Sequence, residues 1–450
     1  MKDEARADAV YAALLTRQGE QWVQPRVERT QRVLDLLDNP QRTYRVIHVT
    51  GTNGKTSTSR MAESLVRAHG LRTGLFTSPH LERFTERIMI DGEPIADAAV
   101  ADAWEEIAPI VDLVDLELAA AGDAALTFFE LLTVLAFVAF ADAPVDVAVV
   151  EVGMGGAWDS TNTADGDVAV FAPIDLDHAD RLGGTIAEVA SVKAGIIKDG
   201  AIAVSAAQHP DAERVLRAAA AARHASIAFA PADFGVVDQR LAVGGQQITV
   251  AGLAGEYPDA YLPAFGAYQA ENAALAIAAV ESLIAGEGKP LAADAVTEGL
   301  DRVTVPGRLQ LIGAAPTVVV DSAHNPHGAR ALAQALRDSF DVDEWGVVLG
   351  VLGDKDAAGI VAALAPLAAR VFVTAPDSER AADADRLADL AEAAGRIATV
   401  HPELADAVGA ARGWAADTPR RAVVVAGSVV LAGEALALAA EEEWLPGGAR

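Results

Sequence analysis

The segment "VIHVTGTNGKTSTS" (46–59) combines two glycines, a lysine and several hydroxyl side chains at a spacing suited to phosphate. The usual phosphate-loop pattern, G-x-x-x-x-G-K-[ST], fits Gly54, Lys55 and Thr56 but puts Val49 where the first glycine belongs, with Gly51 nearby instead. The β-branched run "RVIHVT" (45–50) predicts a buried strand before the loop. After it, "STSRMAESLVRAHG" (57–70) predicts a helix with Met61, Leu65 and Val66 on one face and Gly70 as its stop. Between them the glycines let backbone N–H groups and a helix N-terminus converge on one spot, an arrangement that binds phosphate. Lys55 would neutralise phosphate oxygens there, and a hydroxyl at Thr56 or Ser57 would reach a phosphate or Mg²⁺.

Three further places carry groups that could act with such a loop. "VDVAVVEVGMGG" (145–156) ends an apolar strand in Glu151, where a phosphate-loop protein places the acid that holds its magnesium. "IDLDHADRLGGT" (174–185) sets Asp175, Asp177 and His178 just after another strand, a candidate metal site. In "IAEVASVKAGIIKDG" (186–200), Lys193 stands among apolar neighbours; taken alone it reads as a surface lysine with its stem on the protein and its head in water.

The elements that must position these groups follow from the whole chain. Its 450 residues exceed what one core holds, so two domains are expected. Short β-branched runs alternate with alanine- and leucine-rich stretches, the pattern of α/β units on a mostly parallel sheet. The clearest strands are 45–50, 145–152, 167–174, 316–323, 345–352, 370–375 and 421–427. The alternating run 234–252, turning at Gly244 and Gly245, predicts a β-hairpin on the edge of the first domain. The strand-loop-helix rhythm restarts after "VTVPGRLQLIG" (303–313), which places a boundary near residue 303. A larger domain with the phosphate loop (1–302) then precedes a smaller α/β one (303–450), with the active site expected in the cleft between them.

Composition narrows the partners. Acidic side chains outnumber basic ones 64 to 35, a net charge of −29, which argues against nucleic acid or an anionic membrane as the main partner. The absence of cysteine excludes disulfides, thiolate metal sites and a cysteine nucleophile, and fits a cytoplasmic location. The charged start lacks the apolar core of a secretion signal. The most apolar run, 126–141, falls short of the about 18 to 20 residues a membrane span needs and carries Glu130, so it reads as a buried helix.

Ten segments, in order, resemble bacterial folylpolyglutamate synthases, including the bifunctional dihydrofolate synthases, which belong with the Mur ligases. They are "HVTGTNGKTSTS", "LFTSPHLERFTERIMIDG", "LTFFELLTVLAF", "EVGMGGAWDSTN", "IDLDHADRLGGTIAEVASVKAGIIK", "AYQAENAALAI", "VPGRLQ", "DSAHNPHGA", "GVLGDKD" and "AGSVVLAGEA". The family's shortened loop, G-T-N-G-K-x-[ST], accounts for the missing first glycine. The resemblance implies a phosphate-loop domain followed by a Rossmann-like one. The implied enzyme is a ligase that activates a carboxylate with ATP to an acyl phosphate, which the amine of L-glutamate then attacks. Dihydropteroate and tetrahydrofolate or its polyglutamates are the implied acceptors, and a monomer is expected.

Residue by residue, the resemblance implies that Gly51, Thr52, Asn53, Gly54, Lys55, Thr56 and Ser57 hold the ATP phosphates, with Asn272, Arg308 and Asp321 also contacting ATP. Ser78 and Glu151 match the ligands of one Mg²⁺ and His178 a ligand of a second, while Lys193 aligns with a lysine that is carbamylated by CO₂. Arg87, His324 and Ser428 match positions associated with glutamate, with Arg83 close enough to compete for the first role. Arg26, Val27 and Glu28, then Thr127, Phe128, Phe129 and Glu130, then Trp158, Asp159 and Ser160 match the pterin segments. The chain departs from the family at Ala157, where arginine is common, which bears on substrate preference. Two competing readings remain at this level: a Mur-type ligase acting on a UDP-sugar peptide, and a catalytically silent ATP-binding protein.

Overall fold

The computed structural model describes residues 2–19, 25–177, 179–285 and 288–445. The chain divides into two compact units. One comprises Met1–Gln239, Ile248–Tyr261 and Glu271–Val303; the other comprises Arg240–Gln247, Leu262–Ala270 and Thr304–Arg450.

The first unit is built on an eight-stranded sheet. Its strands are β1 (Arg45–Thr50), β2 (Thr73–Phe76), β3 (Ile88–Ile90), β4 (Glu93–Pro94), β5 (Val147–Glu151), β6 (Val168–Phe171), β7 (Ile202–Ser205) and β8 (Ser226–Phe229). They lie in the order β4-β3-β2-β5-β1-β6-β7-β8. All neighbours from β2 to β8 pair in parallel, and at one edge β3 pairs antiparallel with both β2 and β4. Strand alternation splits the apolar side chains between two layers. Val46, Ala148 and Val150 join a core built largely by the helices Lys2–Leu15, Asp97–Ala120 and Phe128–Asp142. Ala169, Phe171 and Ala203 join another with the helices Ile186–Lys193 and Pro210–Ala222.

The apolar run read as a buried helix is one. Phe128–Asp142 is buried on nearly every face and starts with a capping box between Thr127 and Glu130, which satisfies end groups that this buried helix cannot leave to water. Among the described residues no helix is long and apolar enough to cross a membrane.

The two strands expected on either side of Gly244 and Gly245 are present, in a sheet of their own. β9 (Gly235–Ala242) and β10 (Gly245–Ala251) belong to a separate three-stranded sheet, completed by β11 (Glu256–Leu262) in the order β11-β10-β9. The third strand, "EYPDAYL", carries a proline and two acids that hid it in the sequence.

The second unit holds a six-stranded sheet in the order β12-β13-β17-β14-β15-β16. The strands are β12 (Gln310–Ala314), β13 (Thr317–Val320), β14 (Glu344–Leu349), β15 (Ala368–Val373), β16 (Ile397–Val400) and β17 (Arg421–Ala426). All pair in parallel except β12, which runs antiparallel to β13. Both large sheets therefore present the carboxyl ends of parallel strands along one edge, the usual location of ligand sites in this class of fold.

Candidate active site

In the first unit β1 ends at Thr50 and the helix Lys55–Ala68 begins four residues after Gly51, with Gly54 as its N-cap. Gly51 packs so closely on Ala172, beyond the end of β6, that a Cβ there would lie 2.7 Å from the Ala172 Cβ. Gly54 has φ +85°, and a Cβ would lie 2.6 Å from Oδ1 of Asn272. Any side chain at either position would force the loop off its neighbours. The loop is also clasped from behind: the Thr52 amide donates to the Pro173 carbonyl and its hydroxyl to that of Asp175, each at 2.8 Å.

Two lysines converge on this loop. Lys55 Nζ donates to the carbonyls of Gly51 (3.3 Å) and Thr52 (3.4 Å), and Lys193 Nζ donates to Gly51 at 2.8 Å. Lys193 is 3% exposed, so its reading as a surface lysine is overturned. Burial, reinforced by the charge of Lys55, pulls its pKa down to about 7, against the opposing pull of Asp177 and Asp159.

The sheet register brings the acid to the same place. Glu151 pairs with Val49, is buried, and accepts a hydrogen bond from the Thr56 hydroxyl at 3.1 Å. Half-buried Ser78 follows the carboxyl end of β2, the strand beside β5. His178 lies outside the described residues, and among those described no cluster of three or more His, Asp or Glu is placed to hold a metal.

The pterin candidates form a second network, and here the polar groups are engaged with one another. Arg26 donates from Nε to Glu130 Oε1 (3.0 Å) and from Nη2 to Oε2 (3.1 Å), while the Thr127 amide donates to Oε2 at 2.7 Å. Glu130 thus serves the helix cap and a bidentate ion pair at once. Phe129 lies against Gly153, where an added Cβ would sit 2.5 Å from the ring, and 5.8 Å from the Phe76 centroid. Val27 is the N-cap position of the helix Glu28–Leu36, and Glu28 is exposed. Trp158 is half-buried beside Gly155, and Ser160 is buried. Asp159 accepts hydrogen bonds from the Met154 and Thr161 amides; burial raises its pKa against those bonds.

Arg87 and Arg83 part company. Arg83 is exposed and pairs with Asp97 at 3.1 Å. Arg87 is 4% exposed, donates from Nε to His80 Nδ1 at 2.7 Å, and lies over the Phe128 ring at 5.4 Å, a cation–π contact. A glutamate candidate therefore touches a pterin candidate, which spacing in the sequence does not reveal.

In the second unit, Asp321 accepts from the amides of Leu309 and Ala323, each at 2.8 Å, and from the Tyr268 hydroxyl. Burial raises its pKa, opposed first by the charge of Arg308. His324 Nδ1 donates to the Ser322 carbonyl at 2.9 Å. Ser428 caps the helix Val429–Glu441 by accepting the Leu431 amide at 3.0 Å. The Gly427 amide donates to the Ala323 carbonyl at 3.1 Å, so the loops carrying His324 and Ser428 are tied together.

A cleft of about 630 Å³ opens at the opposite, amino-terminal ends of the strands, lined by residues including Asp165, Asp167, Lys198, Asp199 and Arg223. Its charges are already matched: Arg42 pairs with Asp165, Arg223 with Asp199, and Lys198 donates to the Asn162 carbonyl.

Comparison with known proteins decides the family. The chain matches the Mur ligase middle domain over residues 49–280 and the Mur ligase glutamate ligase domain over 307–429. The dihydrofolate synthase/folylpolyglutamate synthase of Mycobacterium tuberculosis is 47% identical over 440 residues, 92% of this chain and 90% of that protein. This chain belongs to the dihydrofolate synthase/folylpolyglutamate synthase family of Mur ligases. Its fold matches the crystal structure of M. tuberculosis folylpolyglutamate synthase complexed with ADP and AMPPCP, with TM-score 0.91 and 46% identity over 97% of this chain and 99% of that one. Escherichia coli FolC in complex with DHPP and ADP matches with TM-score 0.83 and 28% identity over 97% and 98%.

Proposed function

We infer that this protein is an ATP-dependent ligase that joins L-glutamate to dihydropteroate, and to tetrahydrofolate and its polyglutamates, through an acyl phosphate. The observation that carries the reading is the meeting of Lys55, Lys193 and Glu151 at the carboxyl ends of β1 and β5, beside a glycine-lined helix N-terminus. It is the site that family membership leads one to seek, and it argues against a silent ATP-binding protein; the 47% identity to a dihydrofolate synthase/folylpolyglutamate synthase supports a folate ligase over a UDP-sugar peptide ligase.

A carboxylate attacking the γ-phosphate meets a like-charged group, so the protein's task is positive charge and alignment more than nucleophilic catalysis. The loop amides from Gly51 to Ser57 and the helix N-terminus take the phosphates, and Lys55 leaves its two loop carbonyls to face them. Asn272, packed on Gly54, borders the same loop, and the resemblance to the family assigns Arg308 and Asp321 to ATP as well. By resemblance, Ser78 and Glu151 would hold one Mg²⁺ and His178, which lies outside the described residues, a second; such ions would neutralise charge on the phosphates. Lys193, neutral in a large fraction near pH 7, suits carbamylation: its neutral amine attacks CO₂, forms the N–C bond and releases one proton, which leaves an anion at that position.

The pteroyl group lies by Phe128, Phe129, Trp158 and Asp159, within the wall that Arg26 and Glu130 hold rigid. Arg87, His324 and Ser428 receive the incoming glutamate, an arginine fork being suited to a carboxylate. The enzyme works as a monomer in the cytoplasm.

The test is ADP release with Mg-ATP and L-glutamate, using dihydropteroate or tetrahydrofolate as acceptor and product mass as the check. Release with both acceptors, each product heavier by one glutamyl residue, is expected. ATP binding without release on either acceptor would overturn the reading.

A further inference from the structure

Within "WDSTN", the carboxylate of Asp159 is gripped by its own loop on both oxygens. Oδ2 accepts the Met154 amide at 2.9 Å; Oδ1 accepts the Thr161 amide at 3.0 Å and also the Thr161 hydroxyl. Since that hydroxyl gives its hydrogen to the carboxylate, it meets His48 Nε2, 3.0 Å away, as an acceptor. His48 therefore carries its proton on Nε2. The imidazole is fully buried, and burial drives its pKa down to about 3, which keeps it neutral and in this donor role. A buried chain thus runs from His48 on β1, three residues before Gly51, through Thr161 to Asp159.

The same turn is fixed on its other side. Asn162 Nδ2 donates to the carbonyls of Ala157 and Gly195, each at 3.1 Å, and the Ala157 amide donates to the Val192 carbonyl at 2.9 Å. Val192 and Gly195 flank Lys193 in the chain. The turn is thereby referenced to the strand that ends in the phosphate loop and to the segment that bears the second lysine.

We propose that Thr161, oriented by His48, is a positioning residue for the pteroyl substrate: it fixes the Asp159 carboxylate, and with it the turn that carries Trp158, at a set distance from the phosphate loop. This rests on the reading of Asp159 as a pterin contact. The physical reason is that Asp159 is 5% exposed, so water cannot replace a lost donor, and removing the hydroxyl leaves a buried carboxylate short of a charge-assisted bond and held by backbone amides alone. Misplacement on the scale of an ångström is enough to disturb alignment of the acceptor with the γ-phosphate.

The experiment compares Thr161→Val, which keeps the shape and removes the hydroxyl, with Thr161→Ser, which keeps the hydroxyl, measuring KM for dihydropteroate, KM for ATP and Tm. Thr161→Val is expected to raise the dihydropteroate KM about tenfold or more while the ATP KM stays within about twofold, and Thr161→Ser to restore it. Equal changes in both KM values, or none, would overturn the proposal. If Thr161→Val does not fold, His48→Phe removes the donor at similar volume, and the same selective rise in the dihydropteroate KM is expected; unmoved KM values in the folded variant would overturn it. Wild-type protein that releases no ADP with dihydropteroate would defeat the functional reading and this inference with it, whereas an active wild type with unmoved variants would defeat this inference alone.

Discussion

The phosphate end and the pterin end of the first unit use polar groups in opposite ways. At the phosphate loop, Lys55 and Lys193 rest on backbone carbonyls and Glu151 accepts from the Thr56 hydroxyl, tethers that a ligand can replace. At the pterin end, Arg26, Thr127 and Glu130 close on one another, as do Asp159 and Thr161, so the polar residues of the motif hold the wall in shape. Motif residues thus divide into groups that act on ligands and groups that fix where the ligand-binding groups stand.

This contrast predicts separable defects. The largest is at Lys55: Lys55→Ala should cut ADP release by at least about a thousandfold, as loss of a transition-state cation does in phosphoryl transfer, with Tm nearly unchanged. A collapse of Tm alongside activity would erase the distinction between the two ends. Glu130→Ala should do the reverse. It removes the bidentate partner of buried Arg26, leaving it Asp123 and the carbonyls of Ala124 and Ala125, and opens a helix cap, so unfolding in denaturant should show a loss of about 3 kcal/mol, with the surviving activity impaired in pteroyl binding more than in ATP binding.

Lys193 sharpens the comparison through pH. Its pKa is about 7 in the folded protein against an ordinary 10.5, so between those values the unfolded chain binds a proton that the fold does not. Stability of the unliganded protein should therefore rise with pH from about 7 toward 10.5, and below 7 the cost of the buried charge is fully present. Lys193→Met should flatten that slope in denaturation curves recorded across the window; an unchanged slope would mean that another group sets it. A smaller effect is expected at Gly54, where Ala must adopt a left-handed conformation and displace Asn272. Gly54→Ala should cost about 1 to 2 kcal/mol in ATP binding, read by titration calorimetry, and leave pteroyl affinity alone.

Legibility in the sequence followed the same division. The long β-branched strands β1, β5, β14 and β17 were plain, whereas β2 ("TGLF"), β7 ("IAVS") and β8 ("SIAF") are four residues each and show little alternation. Flanked by helices, such buried strands declare themselves only through the sheet they complete. The phosphate loop could be read because its residues are consecutive. The pairs Arg26–Glu130 and His48–Thr161 could not, being 104 and 113 residues apart and brought together only by the packed fold. Lys193 is legible only through the family resemblance for a related reason: taken alone, a lysine amid apolar residues is usually a stem on the surface, and tertiary structure shows this one to be enclosed.

The most direct test of the central claim follows one oxygen. Dihydropteroate labelled with ¹⁸O in its carboxylate is turned over with Mg-ATP and L-glutamate, and the released inorganic phosphate is analysed by mass. Attack of the carboxylate on the γ-phosphate, followed by amine attack and departure of phosphate, predicts one ¹⁸O in each phosphate formed from doubly labelled substrate. Phosphate free of label, with amide still produced, would contradict the acyl-phosphate route and the role assigned to the lysine-lined loop.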